Sequence, residues 1–431
     1  MKNHKLSLYA ATSVVVANMI GTGVFTSLGF QVVDIQSGFV LLMLWLVGGV
    51  IALCGALSYA ELGAALPRSG GEYNFLSRLF HPSLGFVSGW VSATIGFAAP
   101  TALASITFGV YLESVFPVIH PTVAGASLVI IVTIVHATTL KNSGLFQSGF
   151  TTLKAILICG FILAGFALLD SPQDINLVPI SGDGSLLIGS AFAVSLIYVS
   201  YAYTGWNAAT YLIDEIELPS KNLPLALGLG TGIVLLLYLL LNYIFLYSAP
   251  IPELAGKVEI GYISAQHIFG PLGAKVMGVV LALLLISTVS AMMLAGPRVL
   301  QVIGQDFGIF RFLAKTNSKG VPAYAIYFQA ALTLIFVITS SFESVLVFAG
   351  FTLGLMTTFT VAGVFVLRYK FPDLERPYKA WGYPITPMVY LGLMIWTLVF
   401  LLMDKPLESL AGLGVVAAGF GMYGLMKIRT K

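Results

Sequence analysis

Charge is what this sequence has least of. Asp, Glu, Lys and Arg make up 9% of its 431 residues, against roughly 25% in ordinary soluble domains, so a water-soluble globular protein is ruled out. Cysteine is scarcer still. Cys54 and Cys159 both sit inside apolar runs, and neither a disulfide framework nor a cysteine-rich metal site follows from them. No G-x-x-x-x-G-K-[ST], no H-E-x-x-H and no nucleophile motif stands out, which supports neither ATP-driven transport nor an intramembrane enzyme. A net charge of +3 is too small to suggest nucleic-acid binding, and no cofactor or metal is expected.

What is present is apolar: 58% of residues are hydrophobic and the mean hydropathy is +0.95. A helix of about 20 residues crosses the roughly 30 Å hydrocarbon core. Twelve runs meet that length: about 9–31, 39–62, 84–112, 122–139, 147–169, 186–212, 225–248, 273–295, 322–340, 345–367, 384–403 and 408–426. The expectation is an all-α polytopic membrane protein, one domain over residues 1–431 with short connections. The first run follows Lys2 and Lys5 but is too long for a signal peptide and shows no clear cleavage site, so it reads as a retained span.

Twelve spans put both termini on one side, and the distribution of basic residues tests the count. Of 21 Lys and Arg, 17 fall on the N-terminal side, three (Lys257, Lys275 and Lys405) fall opposite, and Lys154 lies within the fifth run. Both termini are expected in the cytoplasm, with the protein in the cell membrane and the lipid bilayer around it. The 45 glycines include three G-x-x-x-G pairs, Gly85/Gly89, Gly228/Gly232 and Gly350/Gly354, a spacing that lets backbones approach.

Two spans invite interruption. The first contains Met19-Ile20-Gly21-Thr22-Gly23, about 12 residues in, and glycine costs about 1 kcal/mol relative to alanine inside a helix. The sixth contains Tyr201-Ala202-Tyr203-Thr204-Gly205-Trp206-Asn207. Interrupted helices at corresponding places in two halves point to a transporter site built on inverted repeats. An unwound turn offers free N–H groups at the start of one half-helix and free carbonyls at the end of the other. The first suit a carboxylate and the second an ammonium, so a free amino acid, a zwitterion, is the fitting cargo.

One charge lies within a span. Lys154 sits about two turns inside the fifth run, where an ammonium costs at least roughly 2.5–3.5 kcal/mol, and its expected partners are carbonyls and the hydroxyls of Ser287, Thr288 and Ser290. Glu61, Glu72, Asp214 and Glu215 read as span-end residues and His136 as interfacial. With no carboxylate at mid-membrane, a neutral amino acid is favoured over a cationic one or a polyamine.

Taken together, Ile20-Gly21-Thr22-Gly23-Val24-Phe25, Tyr59-Ala60-Glu61-Leu62 with Pro67-Arg68-Ser69-Gly70-Gly71-Glu72-Tyr73, Ala202–Asn207 followed by Glu215 and Pro219, Gly296-Pro297-Arg298 and Arg376-Pro377-Tyr378-Lys379 resemble the amino acid-polyamine-organocation superfamily. Within it the sequence is similar to the L-type amino acid transporter branch, over nearly the whole chain. The resemblance implies a LeuT-like five-plus-five inverted repeat, with repeats at about 9–169 and 186–367 and two extra helices at about 384–426.

It also implies that Thr22 and Gly23 offer N–H groups to the carboxylate, and that Met19, Tyr201 and Thr204 offer carbonyls to the ammonium. Ile20, Gly21, Ala202 and Gly205 complete the turns. Tyr201 matches an aromatic gate that is usually phenylalanine. Lys154 matches a lysine placed where sodium-coupled relatives hold an ion, with Ser287 and Ser290 nearby, and Asn207 matches a residue that supports the site. Animal members pair with a glycoprotein through a cysteine after the third span; the connection Glu113–Pro121 has none, so no disulfide-linked heavy chain is expected.

The function these readings support is sodium-independent transport of small or medium neutral amino acids by alternating access, as exchanger or proton-linked permease. Exchange is favoured because carbonyls and hydroxyls would keep the Lys154 ammonium charged. A cationic amino acid or polyamine permease is the alternative, and a non-transporting sensor ranks third because no signalling domain is attached. A monomer suffices for this mechanism; the sequence leaves the oligomeric state open.

Overall fold

In the computed structural model the backbone is described over residues 5–138, 143–318 and 320–429, and the side chains over the same residues except 143–151, 306, 309 and 427–429. Lys2, Lys141, Lys319 and Lys431 of the charge count lie outside the described residues, as do residue 139 of the fourth run and the side chains of Lys427 and Arg429.

Among the described residues there are α-helices and short 3₁₀ or π turns but no strand. The α-helices are α1 (Leu8–Met19), α2 (Ser27–Asp34), α3 (Gly38–Ala65), α4 (Gly71–Leu79), α5 (Pro82–Val91), α6 (Ala98–Val115), α7 (Pro121–Thr138), α8 (Ser143–Leu168), α9 (Asp183–Ile188), α10 (Ser190–Ala202), α11 (Pro219–Ser248), α12 (Ile251–Leu254), α13 (Ile260–Asp306), α14 (Ala323–Thr339), α15 (Phe342–Lys370), α16 (Ile385–Asp404) and α17 (Pro406–Arg429). Eight helical stretches are long and apolar enough to cross a membrane: α3, α5 with α6, α7, α11, α13, α15, α16 and α17. Shorter apolar helices, α1, Thr152–Leu168 of α8, α10 and α14, coincide with the remaining expected runs.

The differences from the expected runs have local causes. The third run is divided by a π turn at Ser92–Gly96. Gly270, at φ +73° just before Pro271, divides α13, whose second part continues past residue 295 to Asp306 through Pro297. The connections are also less bare than expected. Helix α4 is too polar for a hydropathy search, yet it buries Glu72, Asn74, Phe75 and Leu76.

Helix contacts are broadest for α3 with α11, α6 with α13 and α1 with α11. Lipid gives helices no hydrophobic reason to associate, so close packing and buried hydrogen bonds do that work. An added Cβ on Gly350 or Gly354 would meet Ile197 at 2.8 Å or Met394 at 2.9 Å, and one on Gly85 would overlap Ser77. Gly232 has nothing within 4 Å and Gly228 only Leu57 at 3.9 Å, so that G-x-x-x-G pair does not mark a close helix contact.

Candidate functional site

Helix α1 stops at Met19. Ile20 has ψ 88°, a 3₁₀ turn occupies Gly23–Phe25 and α2 begins at Ser27. The turn is held from below and from within. Tyr238 of α11 donates its hydroxyl to the Met19 carbonyl at 2.6 Å. Thr22 O accepts from Phe25 N at 3.0 Å and from Thr26 Oγ1 at 3.1 Å. The N–H groups of Thr22 and Gly23 have no hydrogen-bond partner among the described residues.

Helix α10 stops at Ala202, and a 3₁₀ segment follows at Ala208–Glu215. Between them Gly205 takes φ +103°, a left-handed conformation that favours glycine. The Tyr201 carbonyl accepts both Thr204 N at 3.0 Å and Thr204 Oγ1 at 2.7 Å.

These two segments abut backbone to backbone. A Cβ on Gly23 would lie 2.6 Å from Ala202 Cα, and one on Gly205 would lie 2.6 Å from the Asn18 carbonyl. Gly21 is different, because its Cβ would meet nothing nearer than Met19 O at 3.9 Å. The positive φ is at Gly205, whereas Gly23 is required by the contact with Ala202.

Lys154 reaches this place. Its Nζ donates to Thr288 Oγ1 at 2.7 Å, and together with Gly21, Thr22, Thr107, Tyr111 and Thr288 it lines a cavity of ≈ 20 Å³, about the space of one water. Ser287 is buried without bonding Lys154, and Ser290 is turned to His136 Nε2 at 2.8 Å. Of the three expected hydroxyls only Thr288 meets the ammonium, and His136, in the last turn of α7, is half-buried against Ser290. A second cavity, ≈ 40 Å³, lies behind the second interruption among Ser200, Tyr201, Thr204, Thr357 and Tyr390. Neither cavity is lined by a carboxylate.

Sequence reasoning missed the supports. Tyr238 is fully buried and packs with Tyr203 and Trp45 at ring separations of 5.0 and 5.8 Å. Tyr203 donates to Trp45 O at 3.2 Å and Trp45 Nε1 to Gln31 Oε1 at 2.9 Å. Glu61 and Glu72, taken as span-end residues, are buried. Arg368 of α15 holds Glu61 with two bonds, Nε to Oε1 at 2.8 Å and Nη2 to Oε2 at 2.7 Å. Ala380 N adds a third at 2.7 Å, and the guanidinium lies 3.5 Å from the centre of the Tyr383 ring. The hint available in sequence was one acidic residue near the end of a long apolar helix.

On the face opposite the N-terminus, Phe30 stacks on Phe342 at 5.6 Å and 8°. Glu343 accepts from Tyr198 Oη and from Lys405 Nζ, both at 2.7 Å. Thus side chains near both ends of α15 tie it to other elements.

A helical molecule with two abutting main-chain turns, unpartnered N–H groups and a lysine beside them has the form of a membrane permease. The sequence pattern of the amino acid permease family matches residues 6–412, and the chain belongs to that family. It is a multi-pass membrane protein. It is 27% identical over 430 residues to the mouse (Mus musculus) large neutral amino acids transporter small subunit 2, covering 98% of this chain and 80% of that protein. It is 28% identical over 439 residues to the human (Homo sapiens) cystine/glutamate transporter, covering 99% and 86%. It is 25% identical over 382 residues to the mouse b(0,+)-type amino acid transporter 1, covering 87% and 78%.

Proposed function

We propose that the chain is a sodium-independent transporter of small or medium neutral amino acids that works by exchange and alternating access. The observation that carries this reading is the pair of abutting interruptions, with Thr22 and Gly23 N–H groups unpartnered beside Lys154. A carboxylate docks on those donors and gains from the positive end of α2. The ammonium faces Met19 O, Thr204 O and Tyr201 O. Met19 O already accepts from Tyr238 Oη and offers its second lone pair, and Tyr201 O, which accepts from Thr204 N and Oγ1, offers one when that hydroxyl turns away. Tyr201 serves as the aromatic gate, and Ile20, Gly21, Ala202 and Gly205 shape the turns.

The same reading has twelve crossings as two inverted five-helix repeats plus α16 and α17, with α1/α2 and α10/208–215 as interrupted spans. The N-terminal face is then cytoplasmic, or inner, as the 17-to-3 bias of Lys and Arg indicates. Lys154 supplies a fixed positive charge where a sodium ion would otherwise sit, and the two cavities without carboxylates favour neutral cargo. Both cysteines lie in helices, α3 and α8, so an outer-loop disulfide to a heavy chain has no donor on this side.

Proteoliposomes loaded with one amino acid and given labelled amino acid outside test the reading. Neutral amino acids should exchange and compete, arginine and polyamines should not, and replacing sodium by choline should change nothing. A steep sodium dependence removes the role given to Lys154.

A further inference from the structure

Glu72 is a carboxylate at 4% exposure, and among the described residues no lysine or arginine pairs with it. Burying an ionised carboxylate is costly unless its lone pairs are filled. They are filled by neutral donors from two elements. Tyr59 Oη of α3 donates at 3.0 Å and Asn207 Nδ2 at 2.5 Å, both to Oε1, while Tyr211 Oη donates to Oε2. A carboxylate is the side chain that can accept all three, since it offers acceptors only, on two oxygens.

The surrounding backbone is shaped for this contact. Gly70 and Gly71 have φ +120° and +52°, and a Cβ on Gly71 would lie 2.7 Å from the Tyr211 ring. Immediately before them, Ser69 N donates to Asp214 Oδ2 at 3.2 Å and Asp214 N returns a bond to Ser69 Oγ at 3.0 Å. The loop 69–72 therefore grips the inner half of the second interruption at residues 207, 211 and 214.

We infer that Glu72 is a positioning residue for transport: through Asn207 it ties the substrate-bearing turn 201–207 to α4, so that movement of the turn is passed to the inner loop. This rests on the transport reading above and adds a residue that touches no substrate. The amino acid is held by main-chain groups that Glu72 does not contact, so weakening the tie slows the cycle while leaving binding intact. A residue that only supported the fold would lower the yield of folded protein and leave binding and rate, each taken per folded molecule, unchanged.

The test uses purified full-length protein, with equilibrium binding of labelled amino acid and exchange in proteoliposomes both normalised to folded protein. Glu72→Gln and Asn207→Asp should each lower the maximal exchange rate roughly ten- to hundredfold, the scale of one charge-assisted hydrogen bond. Binding should change less than about threefold, within a fraction of that energy. The swapped pair Glu72→Gln/Asn207→Asp restores an amide donor opposite a carboxylate and should recover most of the rate. Tyr211→Phe keeps the ring on Gly71 and removes one donor, so it remains informative if Glu72→Gln folds poorly; it should slow exchange with binding unchanged. Wild-type rates in Glu72→Gln and Tyr211→Phe, or loss of binding in step with rate, would overturn the inference. Failure of the wild type to bind or exchange any amino acid would overturn the transport reading itself.

Discussion

The contacts at the two ends of α15 are built from different materials. At the inner end, Glu61 is fully buried and receives a two-bond guanidinium clasp plus a main-chain N–H, tying α3 to α15 and the 371–384 loop. At the outer end an aromatic stack does the packing, and the ion pair between Lys405 and Glu343 leaves about a third of each side chain in solvent (35% and 34%). A buried pair is poorly screened and costly to break, whereas an exposed pair contributes about 0–1 kcal/mol. On the transport reading proposed above, in which the Glu61 side faces inward, the inner contact should thus be the stiffer closure and the outer one should open first.

The largest effect is expected at the turns themselves. Gly205→Val adds a β-branched side chain at φ +103°, against the Asn18 carbonyl, and should abolish amino-acid binding, whereas Gly21→Ala has room and should bind normally. Equal affinity in the two variants would break the account of the turns. Next comes the inner clasp. Arg368→Met leaves Glu61 buried without its counter-charge and with Ala380 N as its remaining partner, a loss of at most about 3–5 kcal/mol, read as a lower melting temperature and faster labelling of inner-facing cysteine probes. Arg368→Lys keeps the charge but loses the fork, and should fall between.

The outer pair should respond least. Lys405→Gln should cost at most about 1 kcal/mol, and molar salt, with a screening length of about 3 Å, should reproduce its effect on outer-probe labelling. The Lys405 ammonium is held above the ordinary lysine value of 10.5 by its hydrogen bond to Glu343. A raised folded value means that the lysine's contribution to the contact is fully present below 10.5 and is lost as pH rises through the raised value, while Glu343 stays ionised at neutral pH. Outer labelling should therefore be flat around neutral pH. An inner closure as sensitive to salt as the outer would erase the distinction between them.

How much of this was legible depended on how local the cause was. The helix ends at Met19 and Ala202 could be anticipated from Gly21, Gly23 and Gly205 because low helix propensity is a property of the residues themselves. Lys154 was legible because a charge inside an apolar run is conspicuous. Its partner was not, since Thr288 and Ser290 are two positions apart, about 200° around a helix. Only one can face α8, and the other meets His136 of α7. The clasp on Glu61 comes from a residue 307 positions away. Tyr238, one tyrosine in an apolar helix, is singled out only by the Met19 carbonyl beneath the first turn. Such pairings are made by the packing of the fold.

The central claim is that main-chain groups of two interrupted helices hold both ends of an amino acid. It is tested most directly by competition for exchange of a labelled neutral amino acid in sodium-free proteoliposomes. The competitors are the same amino acid unlabelled, its carboxamide and its N-acetyl derivative. The account predicts full competition by the free amino acid and none by either derivative, because one lacks the charge that meets Thr22 and Gly23 and the other the charge that meets the carbonyls. Equal competition by the carboxamide would contradict it and move the binding site away from these turns.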